Sequence, residues 1–207
     1  MKALICNSPG KFEYANLPDP EAKPDEIILR IRQVGICGTD FHAFEGNQPY
    51  FNYPRILGHE LCGTVVDNNG PLKLKPGEEV TLLPYLNCGT CQACHSGKSN
   101  CCQQLKVMGV HQDGGMCEYI SVNPNFIVAG NELGTDALTI VEPLSIGAHA
   151  VSRANVQSRD LVLVIGAGPI GIGTAFFARK KGANVIIVDP IQSRLNFCSE
   201  NLDLEGV

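Results

Sequence analysis

The chain has no long lysine- or arginine-rich run, and its 21 acidic residues outnumber 16 basic ones, for a net charge of −5. A nucleic-acid or anionic-membrane partner therefore has no electrostatic footing. Long apolar runs are missing too. No uncharged segment reaches the roughly 18 residues that a spanning helix needs, which argues against a membrane protein. The opening MKALICNSPGKFEY has one short apolar run, broken by Asn7 and Pro9, and does not read as a secretion signal. The expected location is the cytoplasm. Cysteine, by contrast, is plentiful, with ten residues among 207. In a reducing compartment thiols at that density point to metal before disulfides. A hydrophobic content of 44% supports one to two domains with a real core.

Chemistry-bearing side chains first gather in residues 35–60, GICGTDFHAFEGNQPYFNYPRILGHE. Cys37 and His59 offer the thiolate and imidazole that suit Zn²⁺, and Glu60 adds a carboxylate oxygen. Either residue alone would read as a core cysteine or a core histidine; the metal reading comes from their combination with the rest of the chain. A further firm ligand must come from far along the sequence. Glu142 is the candidate, because an acid beside Pro143 in the apolar run IVEPLSIGAHA needs a charge partner. A second constellation, Cys88, Cys91, Cys94 and Cys102, has the spacing C-x2-C-x2-C-x7-C on a loop with few apolar residues. Four thiolates suit a closed structural zinc site, whose binding supplies folding free energy that the loop cannot obtain from burial. Cys101 is adjacent to Cys102 and has similar reach; Cys102 is taken as the fourth ligand. His95, inside the loop, is expected to be solvated, and Cys6, Cys62, Cys117 and Cys198 to be packed thiols.

Alternating apolar and polar positions mark MKALIC, EIILRIRQV, LCGTVVD, EEVTLLPYL and MCEYISV as strands. Turn signals stand at Asn68-Asn69-Gly70, Lys75-Pro76-Gly77 and Asp113-Gly114-Gly115. Residues 1 to about 130 thus read as a small, strongly bent β-barrel or sandwich. Helical spacing follows in DALTIVEPLSIGAHAVSRA, which links two domains and carries His149 as a packing residue. Residues 161–189, LVLVIGAGPIGIGTAFFARKKGANVIIVD, run buried strand, glycine turn, helix, buried strand and acid. In that context Gly166, Gly168 and Gly171 let the backbone approach a pyrophosphate at a helix N-terminus, with Pro169 and Ile170 in the same turn. Asp189 would accept hydrogen bonds from ribose hydroxyls and repel a 2′-phosphate, which favours NAD over NADP.

Cys37 with Gly58-His59-Glu60, the four-cysteine lobe and the late glycine fingerprint together resemble the zinc-containing medium-chain alcohol dehydrogenase family, over essentially the whole chain. GICGTD, GNQPYFNYPRILGHE, GVHQDGG and VEP look closest to its polyol and sugar-acid branch, in particular to bacterial hexonate oxidoreductases. The resemblance implies a mixed fold, with a GroES-like β-barrel catalytic domain over residues 1–148 and the start of an α/β Rossmann domain over residues 149–207. It implies two Zn²⁺ per chain and NAD, with Cys37, His59, Glu60 and Glu142 around the catalytic zinc. Glutamate at 142 departs from alcohol dehydrogenases that carry cysteine there and agrees with the polyol branch. Thr39 and His42 match the family's proton-relay positions, and Asp40 matches an acid that orients a ligand histidine. The implied activity is hydride transfer from a secondary alcohol of a small polyol or sugar acid to NAD.

A six-stranded Rossmann sheet in the order 3-2-1-4-5-6 needs more chain, since residues 190–207 suffice for one more helix only. The sequence therefore predicts strands one and two alone, a partial chain, weak NAD binding and little turnover. The alternative is a zinc-stapled binding module without activity. Homo-oligomers occur in the family through later strands, so the oligomeric state stays open.

Overall fold

Alternation along the first half of the chain is realised as antiparallel sheet. Chain order is β1 (Lys2–Ser8), β2 (Lys11–Asn16), β3 (Ile27–Gly35), α1 (Gly38–Glu45), β4 (Arg55–Ile56), β5 (Glu60–Asn68), β6 (Glu79–Leu82), β7 (Tyr85–Leu86), α2 (Gln92–His95), β8 (Lys106–Val107), β9 (Tyr119–Val122), β10 (Ile127–Ala129) and α3 (Thr135–Thr139). The remainder is α4 (Val141–Arg153), β11 (Leu161–Ile165), α5 (Pro169–Lys180), β12 (Asn184–Val188), α6 (Gln192–Leu202) and β13 (Glu205–Gly206). This computed structural model describes residues 1–49, 51–68, 74–130 and 132–207. Asn69 and Gly70 of the expected Asn68-Asn69-Gly70 turn lie outside the described residues.

Two compact units divide at Met1–Ile140 and Val141–Val207. The boundary expected at residues 148 and 149 falls inside α4. In the first unit a five-stranded sheet runs β10-β6-β5-β3-β9, beside β2-β1-β4 and the pair β7-β8. Ile27 and Leu29 point into the core while Arg30 is exposed, so the period of two sorts the strand's faces. With Leu61, Val65, Val80 and Leu82 they form a fully buried cluster, each side chain contributing roughly 1.5–3 kcal/mol on burial. Register shifts in β3 between Ile28 and Leu29, and again between Ile31 and Gln33, mark irregularities that bend the strand ahead of the loop that carries Cys37.

Four readings need correction. The stretch DALTIVEPLSIGAHAVSRA is two helices broken at Ile140, and Pro143 sits in the first turn of α4, where a missing N–H costs nothing. His149, expected to pack, is exposed. In the second unit a third strand does begin: β13 pairs in parallel with β12, giving the order β11-β12-β13. Leu204, buried against the cluster around Ile187 and Leu195, draws the chain back to the sheet after α6. Nor is β11 buried on both faces. Val164 packs on α5, whereas Leu161, Leu163 and Ile165 are 73%, 59% and 84% exposed. No helix among the described residues is long and apolar enough to cross a membrane.

Candidate functional site

Cys37 ends β3's excursion and immediately precedes α1, whose first turn carries Thr39 and Asp40. Asp40 is buried, with one carboxylate oxygen accepting from the Cys37 N–H at 2.9 Å. The other oxygen accepts from the Gly58 N–H at 3.0 Å and lies 4.0 Å from His59 Nδ1. One side chain thereby fixes the backbone at both Cys37 and the residue before His59. Gly58 has φ +92°, a conformation open to glycine, and a Cβ there would come within 2.8 Å of Val34. The chain then enters β5 with Glu60 directed at Gly35, whose missing side chain makes room: a Cβ on Gly35 would lie 2.4 Å from Glu60 Oε2.

Donor atoms of Cys37, His59 and Glu60 come within 4.8 Å of one another, with His59 and Glu60 buried. A thiolate, an imidazole and a carboxylate in one buried cluster fit a borderline-soft divalent ion such as Zn²⁺. Cys37 Sγ is 3.8 Å from Thr39 Oγ1. His42 is exposed, with Nδ1 3.9 Å from Glu45 Oε2. Glu142 is buried in the first turn of α4, within the second unit.

Four sulfurs, of Cys88, Cys91, Cys94 and Cys102, form a second cluster on the same distance criterion. It is Cys102, not Cys101, that joins it. Cys102 is buried and its Sγ accepts from the Cys88 N–H at 3.3 Å, whereas Cys101 is exposed. Backbone donors turn toward the sulfurs in several places. Donation from Thr90 and Cys91 holds the Cys88 thiol down to about 6, while desolvation pushes Cys94 up to about 11. Amides aimed at sulfur are what thiolates sharing an ion require. His95 is exposed and outside the cluster. Cys6, Cys62 and Cys198 are buried, and Cys117 half-buried. Burial raises all four thiols, Cys62 and Cys117 to about 11, as inert packed cysteines require.

In the second unit α5 starts at Pro169 with Gly168 as its N-cap. A Cβ on Gly166 or Gly168 would meet open space, while one on Gly171 would overlap the Gly166 carbonyl oxygen. Two glycines thus leave the turn bare and the third lets α5 pack against it, a cradle that fits a pyrophosphate. Ile170 is 46% exposed. Asp189, at the end of β12, accepts from the Ala167 N–H and from the Ile191 N–H, each at 2.8 Å, and lies 3.3 Å from Arg194 Nη1. Those two amides, with the Arg194 charge, hold its carboxyl below the usual range. Sequence reasoning assigned Asp189 to a ribose alone and missed its grip on the glycine turn.

Sheet, lobe, buried donor cluster and glycine turn are together the features of the zinc-type medium-chain alcohol dehydrogenase family. Residues 23–132 match the family described as alcohol dehydrogenase GroES-like domain, and the chain belongs to it. It is 43% identical over 205 residues to L-galactonate-5-dehydrogenase of Escherichia coli K12, a match covering 99% of this chain and 60% of that protein. Sorbitol dehydrogenase of Bacillus subtilis and galactitol-1-phosphate dehydrogenase of Escherichia coli are also among its relatives, at 31% and 30% identity. Two solved structures superpose on all of the chain with a TM-score of 0.92: RspB from Escherichia coli CFT073 complexed with NADH, at 31% identity and 62% of that chain, and a zinc-binding dehydrogenase from Sinorhizobium meliloti 1021 bound to NADP, at 32% identity and 61% of that chain. The chain therefore spans about 60% of the length of the curated relatives it matches.

Proposed function

We propose that the protein is a cytoplasmic, zinc-dependent oxidoreductase that moves a hydride from a secondary alcohol of a polyol or sugar acid to NAD. The observation that carries this is the convergence of Cys37, His59 and Glu60 in one buried cluster, beside a cavity of about 230 Å³ that His59 and Thr39 both line. A bound zinc supplies Lewis acidity, which lowers the pKa of an alcohol. The chain's own residues do the rest. Asp40 holds Cys37 and the Gly58-His59 backbone in place, so their geometry is set before any ligand arrives. Thr39 Oγ1, in the cavity wall, would accept the proton that the alcohol gives up while its own hydroxyl proton moves on, and exposed His42 would release a proton to water from its imidazole. The bare turn at Gly166 and Gly168, with the α5 N-terminus, would seat a dinucleotide pyrophosphate. Asp189 favours ribose hydroxyls over a 2′-phosphate on charge grounds, so NAD is preferred to NADP.

Zinc stoichiometry by plasma mass spectrometry tests the reading on the purified chain. Two zincs per chain are expected, falling to one in Cys37→Ser. A single zinc in the unaltered chain, insensitive to Cys37→Ser, would overturn the dehydrogenase reading and leave a module stapled by its four-cysteine lobe.

A further inference from the structure

The segment GVHQDGG at residues 109–115 contributes no metal donor, yet it builds the cavity next to His59. Among the described residues that line this cavity are Thr39, Gln48, Tyr85 and His111, over an apolar floor from Val107 and Val110, with no lysine or arginine. His111 differs from its neighbours in how it is held. Its Nδ1 accepts from the Val107 N–H at 3.0 Å, and the His111 backbone N–H donates to the Val107 carbonyl at 2.8 Å. The first bond orients the imidazole of this exposed residue, and the second holds its backbone in the turn. With Nδ1 committed as an acceptor, the neutral ring carries its proton on Nε2.

The turn bearing His111 is itself pressed onto the metal-site backbone. A Cβ on Gly109 would lie 3.1 Å from both Gly58 N and Gly58 O, and one on Gly114 would lie 2.3 Å from Gly58 O. Gly115 N–H and Met116 N–H donate to the carbonyls of Gly58 and Leu57, each at 2.9 Å. Gly58 precedes His59, so the two imidazoles ride on segments in backbone contact and cannot drift apart without breaking this stack. An oriented N–H donor in a cavity that no lysine or arginine lines among the described residues fits a hydroxyl oxygen better than a phosphate or carboxylate, which draw on charged side chains.

We infer that His111 donates its Nε2–H to a hydroxyl of the substrate other than the reacting carbinol, and so selects polyhydroxylated chains over simple alcohols. The cavity takes the uncharged stretch of a polyol or sugar acid, with any carboxylate lying outside it. This rests on the metal reading proposed above.

Cobalt(II) in place of zinc at the Cys37–His59–Glu60 site gives a visible absorption band that responds to a ligand at that site, a readout independent of turnover. The band is identified by its loss in Cys37→Ser. The expected result is that galactitol perturbs it saturably in the unaltered chain, that His111→Ala weakens galactitol about tenfold, as loss of one hydrogen bond implies, and that His111→Gln recovers most of the affinity. The response to 2-propanol, which has no second hydroxyl, stays the same in all three, and an unchanged band in the absence of ligand shows that the variants fold. Galactitol affinity in His111→Ala within twofold of the unaltered chain, an equal loss for 2-propanol, or no response to galactitol would each overturn the assignment while leaving the metal site standing. Absence of a Cys37-dependent cobalt band would overturn the metal reading, and this inference with it.

Discussion

Asp40 places its two carboxylate oxygens on two different backbone N–H groups, 18 residues apart in one case. An amide in its place keeps one acceptor and turns an NH₂ toward the other donor. Asp40→Asn is expected to lower stability by about 1–3 kcal/mol in urea unfolding, and to weaken zinc at the Cys37 cluster by about 10–100-fold in chelator competition. Gly35 acts by having no side chain. In Gly35→Ala the added carbon would meet Glu60 Oε2 at 2.4 Å, so zinc content should fall from two toward one per chain while the cysteine lobe stays loaded; two full equivalents would show that Glu60 adapts. Asp189 makes a prediction about pH. Its carboxyl is held low in the fold by the amides of Ala167 and Ile191 and by Arg194. The stability it adds is therefore full above the unfolded value of about 3.9 and is lost as pH falls through the lower folded value. The urea midpoint of Asp189→Asn should lie below that of the parent at pH 7, and the gap should close below about pH 4. A gap independent of pH would mean that shape, not charge, ties Asp189 to the glycine turn.

At the scale of elements, what the sequence made legible was local. The cysteine spacing and the glycine turn each lie within one loop, and each appears in the structure as a single cluster or turn. Alternation located β1, β3, β5, β6 and β9, because one face of each meets the core. It missed β2, whose Lys11, Phe12, Glu13 and Tyr14 are exposed and therefore carry no pattern. It also ran EEVTLLPYL together, where Leu83-Pro84 separates β6 from β7. The helix α1 was invisible because most of its side chains serve the site or the solvent. His111 escaped for a different reason: its place depends on Gly109 and Gly114 meeting Gly58, about 50 positions earlier, and no spacing rule reports that contact. Within the lobe, the choice between adjacent thiols lay beyond sequence because both have the reach; the buried one is Cys102. Cys102→Ser should lose one zinc and expose the loop to proteolysis, whereas Cys101→Ser should keep both zincs and resist cleavage like the parent. Equal loss in both variants would show that the metal draws on either thiol.

Over the whole molecule the two units bury their apolar surface unequally. The first closes its sheet around Leu29, Leu61 and Val80, all fully buried. The second leaves one face of β11 bare at Leu161, Leu163 and Ile165, a patch of the kind that drives association. Sedimentation velocity should therefore show concentration-dependent oligomers that Leu163→Lys suppresses without changing zinc content. A monomer at all concentrations would mean that the face is shielded in solution.

The glycine stack has a consequence for how such a protein tolerates change. Gly58, Gly109 and Gly114 meet through their backbones and carry no chemistry, yet a side chain at Gly114 would collide with Gly58, and one at Gly109, where φ is +75°, would press against it. In a saturation scan these positions should be as unforgiving as the metal-site cysteines. The contact between them is made without side chains, so a substitution at one position leaves its partner nothing to trim in compensation.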